Sequence, residues 1–311
     1  MAGSGELSSG DPRALGKALS LLERGGEDAE ALLRRVRPRI GGAHSIGLTG
    51  PPGVGKSTLV QALGLALLAR GERVAALAVD PTSPFSGGAL LGDRVRMSEF
   101  VARGGFVRSM ATRGAVGGLS AATADALDLL DAAGFPWVLV ETVGVGQDEV
   151  DVAGVVDTVV VVGVAGTGDD IQAAKAGLLE VADILVVNKS DLPGTDQYVA
   201  ALSEMLELRP PSPWQPRLVV TRATTGEGVE ALLAAIAAHR AFLENDGRRE
   251  RLRRERAARR VTAVLTSLVQ QRVCREEDTA YQEMVEAVAS GAVDPYAAAR
   301  QLLERVAKEG W

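Results

Sequence analysis

One cysteine, two histidines and 4% aromatic residues in 311 positions leave this chain few of the side chains that disulfide, soft-metal or stacking chemistry draws on. Cys274 has no thiol to pair with inside the chain, and no CxxC or histidine cluster is present to hold zinc or nickel. Both scarcities suit a reducing cytoplasm. A basic surplus is missing too: 34 Lys and Arg against 40 Asp and Glu give a net charge of −6, the wrong sign for a general nucleic-acid binder. The Val159 to Val164 run is far shorter than the ~20 apolar residues that cross a bilayer, so no membrane span is expected. The opening MAGSGELSSGDP has neither the basic nor the apolar block of a secretion signal, and residues 1–10 are expected to be a disordered lead.

Apolar residues are plentiful: at 46% they can fill a sizeable core, and their spacing changes twice along the chain. Asp11 before Pro12 marks a helix start, with Leu15, Leu19 and Leu22 at helical spacing until Gly25 and Gly26. A second helical stretch with Ala29, Leu32, Leu33 and Val36 ends near Pro38, giving a helical arm over 11–42. Across 43–243, apolar runs at Ser45 to Leu48, Val74 to Val79, Trp137 to Val140, Thr158 to Val164, Ile184 to Val187 and Leu218 to Val220 alternate with helical segments. Continuous β-branched runs are strands covered on both faces. The expected fold is therefore α/β, a doubly wound and mostly parallel sheet flanked by helices, with ligands at the carboxyl ends of the strands. From 244 to 311 the pattern is helical again. The arginine-rich stretch at 248–260 leads into Val261, Val264, Leu265, Leu268 and Val269, and Asp294 with Pro295 starts a last helix. Glu250 and Glu255 within the basic stretch favour a solvated face over an RNA or lipid site, and such a helical extension serves as a dimer or partner surface or packs back on the same domain.

Directly after the first strand, GPPGVGKST fits GxxxxGK[ST] at Gly50, Gly55, Lys56 and Ser57 and runs into a helical pattern. Gly50, Gly53 and Gly55 let the loop, Pro51 to Val54 included, curl around an anionic phosphate at the positive end of the following helix, with its non-proline N–H groups as donors. Lys56 is placed to reach β and γ phosphates, Ser57 to put a hydroxyl on Mg²⁺, and Thr58 to add an α-phosphate contact. A nucleotide is implied, with its base still open.

The base is read from NKSD. Asn188, Lys189 and Asp191 follow the Ile184 to Val187 run and resemble the guanine-reading motif of GTPases. A carboxylate at Asp191 can accept hydrogen bonds from guanine N1–H and the 2-amino group, a donor pair that adenine lacks. Asn188 can brace the loop and the stem of Lys189 can lie along the base. TRATTG after the last strand, with Thr221, Ala223 and Thr224, stands in the place of the weaker base-side motif. On the phosphate side, ETVG resembles DxxG, with Glu141 holding Mg²⁺ through water and Gly144 sensing the γ phosphate. Val145 follows that glycine, and Gln147 comes only later, so slow hydrolysis by the isolated chain is expected. Asp80 and Asp93 can each position Mg²⁺ or water or simply cap a turn or face solvent, while Arg108 and Arg113 can neutralise phosphate charge or form ion pairs.

Taken in order, GLTGPPGVGKST, AVDPTSP, LLGDRVRM, VRSMATRGAVGGLS, ETVGVGQDE, GTGDDIQAAKAGLLEVAD and NKSDLPG resemble the MeaB/ArgK family of P-loop GTPases, close to the G3E group. The resemblance implies a chaperone that uses GTP binding and hydrolysis to gate adenosylcobalamin delivery to an acyl-CoA mutase, chiefly methylmalonyl-CoA mutase, and to protect or reactivate it. It implies Lys56, Ser57, Asp80, Asp93 and Glu141 as the phosphate and Mg²⁺ set, and Asn188, Lys189 and Asp191 as base readers. It also makes Gly166 to Lys175 a further switch segment, in which Asp170, Gln172 and Lys175 couple nucleotide state to the mutase, and it implies a homodimer through the C-terminal helices. Two other readings compete: a nickel or zinc metallochaperone GTPase, disfavoured by the missing metal ligands, and an ATP-dependent kinase or transport ATPase, disfavoured by NKSD and the missing membrane span.

Overall fold

Every described strand pairing is parallel, as strands covered on both faces require. The computed structural model describes residues 11–80, 97–111, 118–142, 154–166, 179–274 and 278–309. Its seven strands are β1 (His44–Thr49), β2 (Val74–Asp80), β3 (Phe106–Ala111), β4 (Trp137–Thr142), β5 (Thr158–Gly163), β6 (Ile184–Val187) and β7 (Arg217–Val220), in the order β3-β2-β4-β1-β5-β6-β7. The chain leaves β1 toward one edge and later returns to its other side. That makes the crevice beyond the carboxyl end of β1 the switch point where α/β sheets take ligands.

Helices cover both faces. On one lie α1 (Pro12–Arg24), α2 (Glu27–Val36) and α5 (Gly118–Ala132), whose Leu15, Leu19, Leu32 and Leu129 pack on Leu77, Val138 and Val140. The expected helical arm is thus part of the core, started by the Asp11 carboxylate accepting from the Arg13 and Ala14 N–H groups. On the other face, α3 (Lys56–Ala69), α4 (Ser98–Ala102) and α8 (Val229–Glu244) set Leu59, Leu63, Phe100, Leu232 and Ile236 against Ile46, Leu48 and Val160. Short α6 (Leu179–Val181) and α7 (Thr195–Glu207) complete this unit with the first turns of α9 (Arg248–Val273).

Two departures from expectation have physical causes. Strand β3 carries no strand signal in the sequence, because Arg108 and Ser109 interrupt its apolar residues. As an edge strand pairing only with β2 it tolerates them, and Arg108 donates to Ser20 Oγ at 2.9 Å and pairs with Glu23 at 2.8 Å on α1. The arginine-rich stretch is also not a simple solvated face. At i, i+4 and i+7, Arg249 and Arg253 donate to the carbonyls of Ala43 and Gly41, each at 2.6 Å, and Arg256 bonds Asp157 at 2.7 Å. The N–H groups of Gly41, Gly42 and Ala43 meanwhile go to Asp131, so this crossing segment is satisfied on both sides.

Both histidines of the chain lie in one buried network at the amino ends of β1, β5 and β6, away from the switch point. Thr158 Oγ1 bridges His44 Nε2 and His239 Nδ1 at 2.8 Å each, and His239 Nε2 meets Asp183 at 3.3 Å. Burial holds each imidazole down to about 4 and pushes Asp183 up to about 6, while Asp157 resists the same burial because Arg256, His44 and the Ser45 N–H hold its carboxyl low. A histidine depressed from 6.5 to about 4 contributes stability fully present above 6.5 and lost as pH falls toward 4. Asp183 acts oppositely, taking a proton in the folded state as pH falls through about 6 and offsetting roughly one histidine. The urea midpoint is therefore expected to drop between pH 6.5 and 4 by the equivalent of about 3 kcal/mol. The Asp183→Asn variant should fall more steeply over that window, and parallel profiles would show Asp183 to be ionised throughout it.

Residues 257–311 form a second compact unit, made of the rest of α9, α10 (Thr279–Ala289) and α11 (Pro295–Glu309). Val273, Leu302 and Val306 are its buried centre, and Asp278 caps α10 while pairing with Arg305. No described helix is long and apolar enough to cross a membrane.

Candidate nucleotide site

The phosphate loop joins β1 to α3 at the switch point, and its glycines are required by space as well as by conformation. Gly50 has φ 138°, and a Cβ there would lie 2.1 Å from the Val162 carbonyl oxygen on β5. Gly55, at φ 95°, caps α3 without a side-chain cap, at the helix end where an anion is favoured. A Cβ on it would come within 2.6 Å of Asn188 Nδ2. Between them, Val54 is buried, Pro51 is half-buried, and Pro52 and Gly53 are exposed at the loop tip. Lys56 is 5% exposed, and its ammonium donates to the carbonyls of Gly50 at 2.7 Å and Pro51 at 3.0 Å. A charge held this far from water by carbonyl dipoles is one that phosphate oxygens would complement.

Ser57, in the first turn of α3 beside half-buried Thr58, donates to Glu141 Oε1 at 2.5 Å. Glu141 is one residue from the end of β4, in register with Leu48, and the next residue, Thr142, donates to Thr49 at 3.3 Å. One hydroxyl and one carboxylate thus converge beside the phosphate loop. These are hard oxygen donors of the kind Mg²⁺ prefers when nucleotide phosphates and water supply the remaining ligands. Asp80 closes β2, with Val79 in register with Thr142, which puts its backbone at the same end of the sheet. Asp93, Gly144 and Lys175 lie outside the described residues, as do Arg113, Asp170 and Gln172. Arg108, bound to the α1 side chains, takes the ion-pair alternative.

The base-side segments lock onto the phosphate loop. Asn188 Nδ2 donates to the Val54 carbonyl and Lys189 Nζ to the Gly53 carbonyl, both at 2.8 Å. Lys189 has φ 53°, a left-handed conformation uncommon outside glycine and typical of a functional turn. The Thr221 hydroxyl and the Ala223 N–H both donate to Asn188 Oδ1, at 3.0 and 3.1 Å, so these two of the three TRATTG candidates brace Asn188, while Thr224 is exposed. Asp191, half exposed, pairs with Arg222 Nε at 3.3 Å. Arg222 was missed in the sequence, where nothing marks it out from its neighbours in the turn.

The family model described as methylmalonyl-CoA mutase-associated GTPase MeaB matches residues 15–278, spanning the core helices, the sheet and both base-side segments. The chain belongs to this family. A Pyrococcus horikoshii protein named as a GTPase, PH0274, is 44% identical over 305 residues, covering 96% of each chain. The GTPase ArgK of Escherichia coli is 35% identical over 311 residues, covering 96% of this chain and 94% of its own. The crystal structure of LAO/AO transport system kinase superposes with a TM-score of 0.74 at 28% identity, over 97% of this chain and 95% of that one. A P-loop GTPase of the MeaB/ArgK type accounts for the fold, and GTP and GDP are the nucleotides that family implies.

Proposed function

We propose that this GTPase is the nucleotide-driven chaperone of an adenosylcobalamin-dependent acyl-CoA mutase, methylmalonyl-CoA mutase first, and that it gates cofactor delivery to the mutase and protects or reactivates it. The observation that carries this reading is the direct bonding of the base-side residues Asn188 and Lys189 to the phosphate-loop carbonyls of Val54 and Gly53, at 2.8 Å each. Bound guanine would thereby be sensed by the loop that holds the phosphates. The family description names the mutase.

In this reading Asp191 takes guanine N1–H and the 2-amino group, and the stem of Lys189 lies along the base. Lys56 and the non-proline loop N–H groups between Gly50 and Ser57 hold the β and γ phosphates, with Thr58 near the α phosphate. Ser57 and Glu141, with Asp80 and Asp93, would hold Mg²⁺, which supplies charge neutralisation at the phosphates when bound. Water attacks the γ phosphorus, the bond to the β–γ bridging oxygen breaks, and GDP leaves with inorganic phosphate. Gly144 and the Gly166 to Lys175 segment are the places where loss of that phosphate would be felt, with Lys175, Asp170 and Gln172 passing it to the mutase. Hydrolysis is slow until the mutase binds. Val261, Val264, Leu265 and Leu268 form an exposed apolar stripe on α9 at i, i+3, i+4 and i+7, and we assign it to a homodimer contact.

The test is single-turnover GTP hydrolysis with and without purified methylmalonyl-CoA mutase, read against gel-filtration co-elution in GDP and in a non-hydrolysable GTP analogue. An acceleration of at least about tenfold, comparable to the coupling between allosteric sites, is expected. Tight GTP binding with no response to the mutase would remove that partner and leave the GTPase assignment standing.

A further inference from the structure

Arg222 has no part in the roles above, yet it stands where the base site can use a counter-charge. Its neighbours Thr221 and Ala223 are buried and spend a hydroxyl and an N–H on Asn188 Oδ1. Its own backbone is pinned from the other side: the Arg222 N–H donates to the Glu227 carbonyl at 3.0 Å, and its carbonyl accepts from Thr225 and Gly226 at 3.0 and 3.1 Å. Gly228 closes this turn at φ 76°, where a Cβ would sit 2.1 Å from the Val220 carbonyl oxygen. The two loops are stitched together as well, by Ser190 N–H to Thr221 O at 3.1 Å. A residue fixed between two buried neighbours must project outward, and Arg222 projects to Asp191, placing Nε 3.3 Å from Oδ1. No other hydrogen bond or ion pair among the described residues draws on that guanidinium.

We propose that Arg222 is a positioning residue for guanine selection that holds the Asp191 carboxylate ready for the base; this rests on Asp191 being the base reader. Accepting N1–H and the 2-amino group together requires both carboxylate oxygens in the plane of the base. An unheld aspartate on a surface loop would spread over several rotamers and lose freedom only on binding. The ion pair of Nε with Oδ1 restricts that freedom beforehand and leaves the lone pairs of both carboxylate oxygens for the nucleotide. At 41% and 45% exposure the pair contributes little to folding in water, so its effect should appear in nucleotide affinity, once the base covers it, and little in stability.

The experiment titrates fluorescent GTP, GDP and XTP onto the full chain carrying Arg222→Ala, Arg222→Lys, Asp191→Asn, or Asp191→Asn with Arg222→Ala, with nucleotide-free melting temperatures measured in parallel. Arg222→Ala should weaken GTP and GDP by the same factor, about 5- to 10-fold. The loss should appear in half-saturating concentration and not in the maximal single-turnover rate. Arg222→Lys should recover part of the affinity. On the Asp191→Asn background, removing Arg222 should change XTP affinity by less than about twofold, because no carboxylate remains to be held. A switch to XTP in Asp191→Asn with GTP affinity unmoved by Arg222→Ala would overturn the proposal and leave the base reader in place. No switch at all would overturn the base reader itself. An equal loss in the double variant, or a matching drop in nucleotide-free melting temperature, would make Arg222 a structural brace and also overturn the proposal.

Discussion

Lys56→Ala is expected to weaken GTP binding by about 100-fold or more, and GDP binding by less, because in the proposed role the ammonium serves the β and γ phosphates and GDP lacks the second. The geometry makes the effect large. Lys56 is 5% exposed and already desolvated, with the Gly50 and Pro51 carbonyls at 2.7 and 3.0 Å as ready-made partners. A triphosphate arriving there meets a charge whose water has been stripped in advance, so little reorganisation is left for binding. The nucleotide-free protein should not be destabilised in proportion, since removing a whole buried charge leaves neutral carbonyls, those of Gly50 and Pro51 among them, to rehydrate at a loop that already reaches solvent. Lys56→Arg should not rescue, because a planar guanidinium cannot occupy the small space between those carbonyls and still reach the γ phosphate. Calorimetric titration with GTP and GDP, beside the melting temperature of the unliganded variant, separates these outcomes. Tight GTP binding by Lys56→Ala would mean that the phosphates sit elsewhere.

The parts of this fold that were legible in the sequence are those whose signal is local. Strands β1, β2, β4, β5, β6 and β7 are apolar runs flanked by helical periodicity, and the phosphate loop is a fixed spacing of glycines whose necessity is visible in the 2.1 Å approach of a Gly50 Cβ to the Val162 carbonyl. What was illegible depends on partners far along the chain. Arg253 and Gly41 are 212 positions apart, and Arg256 and Asp157 are 99 apart, so the arginine-rich stretch reads as solvated until the helix register turns one of its faces to the sheet. Strand β3 hides its strand character because an edge position admits Arg108 and Ser109, which a central strand would exclude. Arg222 is the same case inside the candidate site. Nothing in TRATTG distinguishes it before the turn from Thr221 to Gly228 is folded against NKSD.

Asp191→Asn should reverse base preference, lowering GTP affinity by roughly 100-fold and raising XTP affinity toward the level that GTP has now. A carboxylate is an acceptor only and matches the two donors of guanine, N1–H and the 2-amino group. An asparagine presents one donor and one acceptor, and xanthine offers N1–H beside a carbonyl at position 2, so the exchange of partners is complete only with the altered base. The frame should survive the substitution, because Asp191 is half exposed and the loop is held by other atoms: Asn188 Nδ2 on the Val54 carbonyl and Asn188 Oδ1 under Thr221 and Ala223. The melting temperature without nucleotide should accordingly stay close to that of the parent chain, with only the exposed contact to Arg222 altered. The same swap should transfer to the partner assay. Mutase-stimulated hydrolysis should follow XTP in the variant and GTP in the parent, since the phosphates, Lys56 and Glu141 are untouched. A variant that binds XTP tightly yet hydrolyses it without response to the mutase would show that base recognition at Asp191 is itself part of the signal passed to the partner.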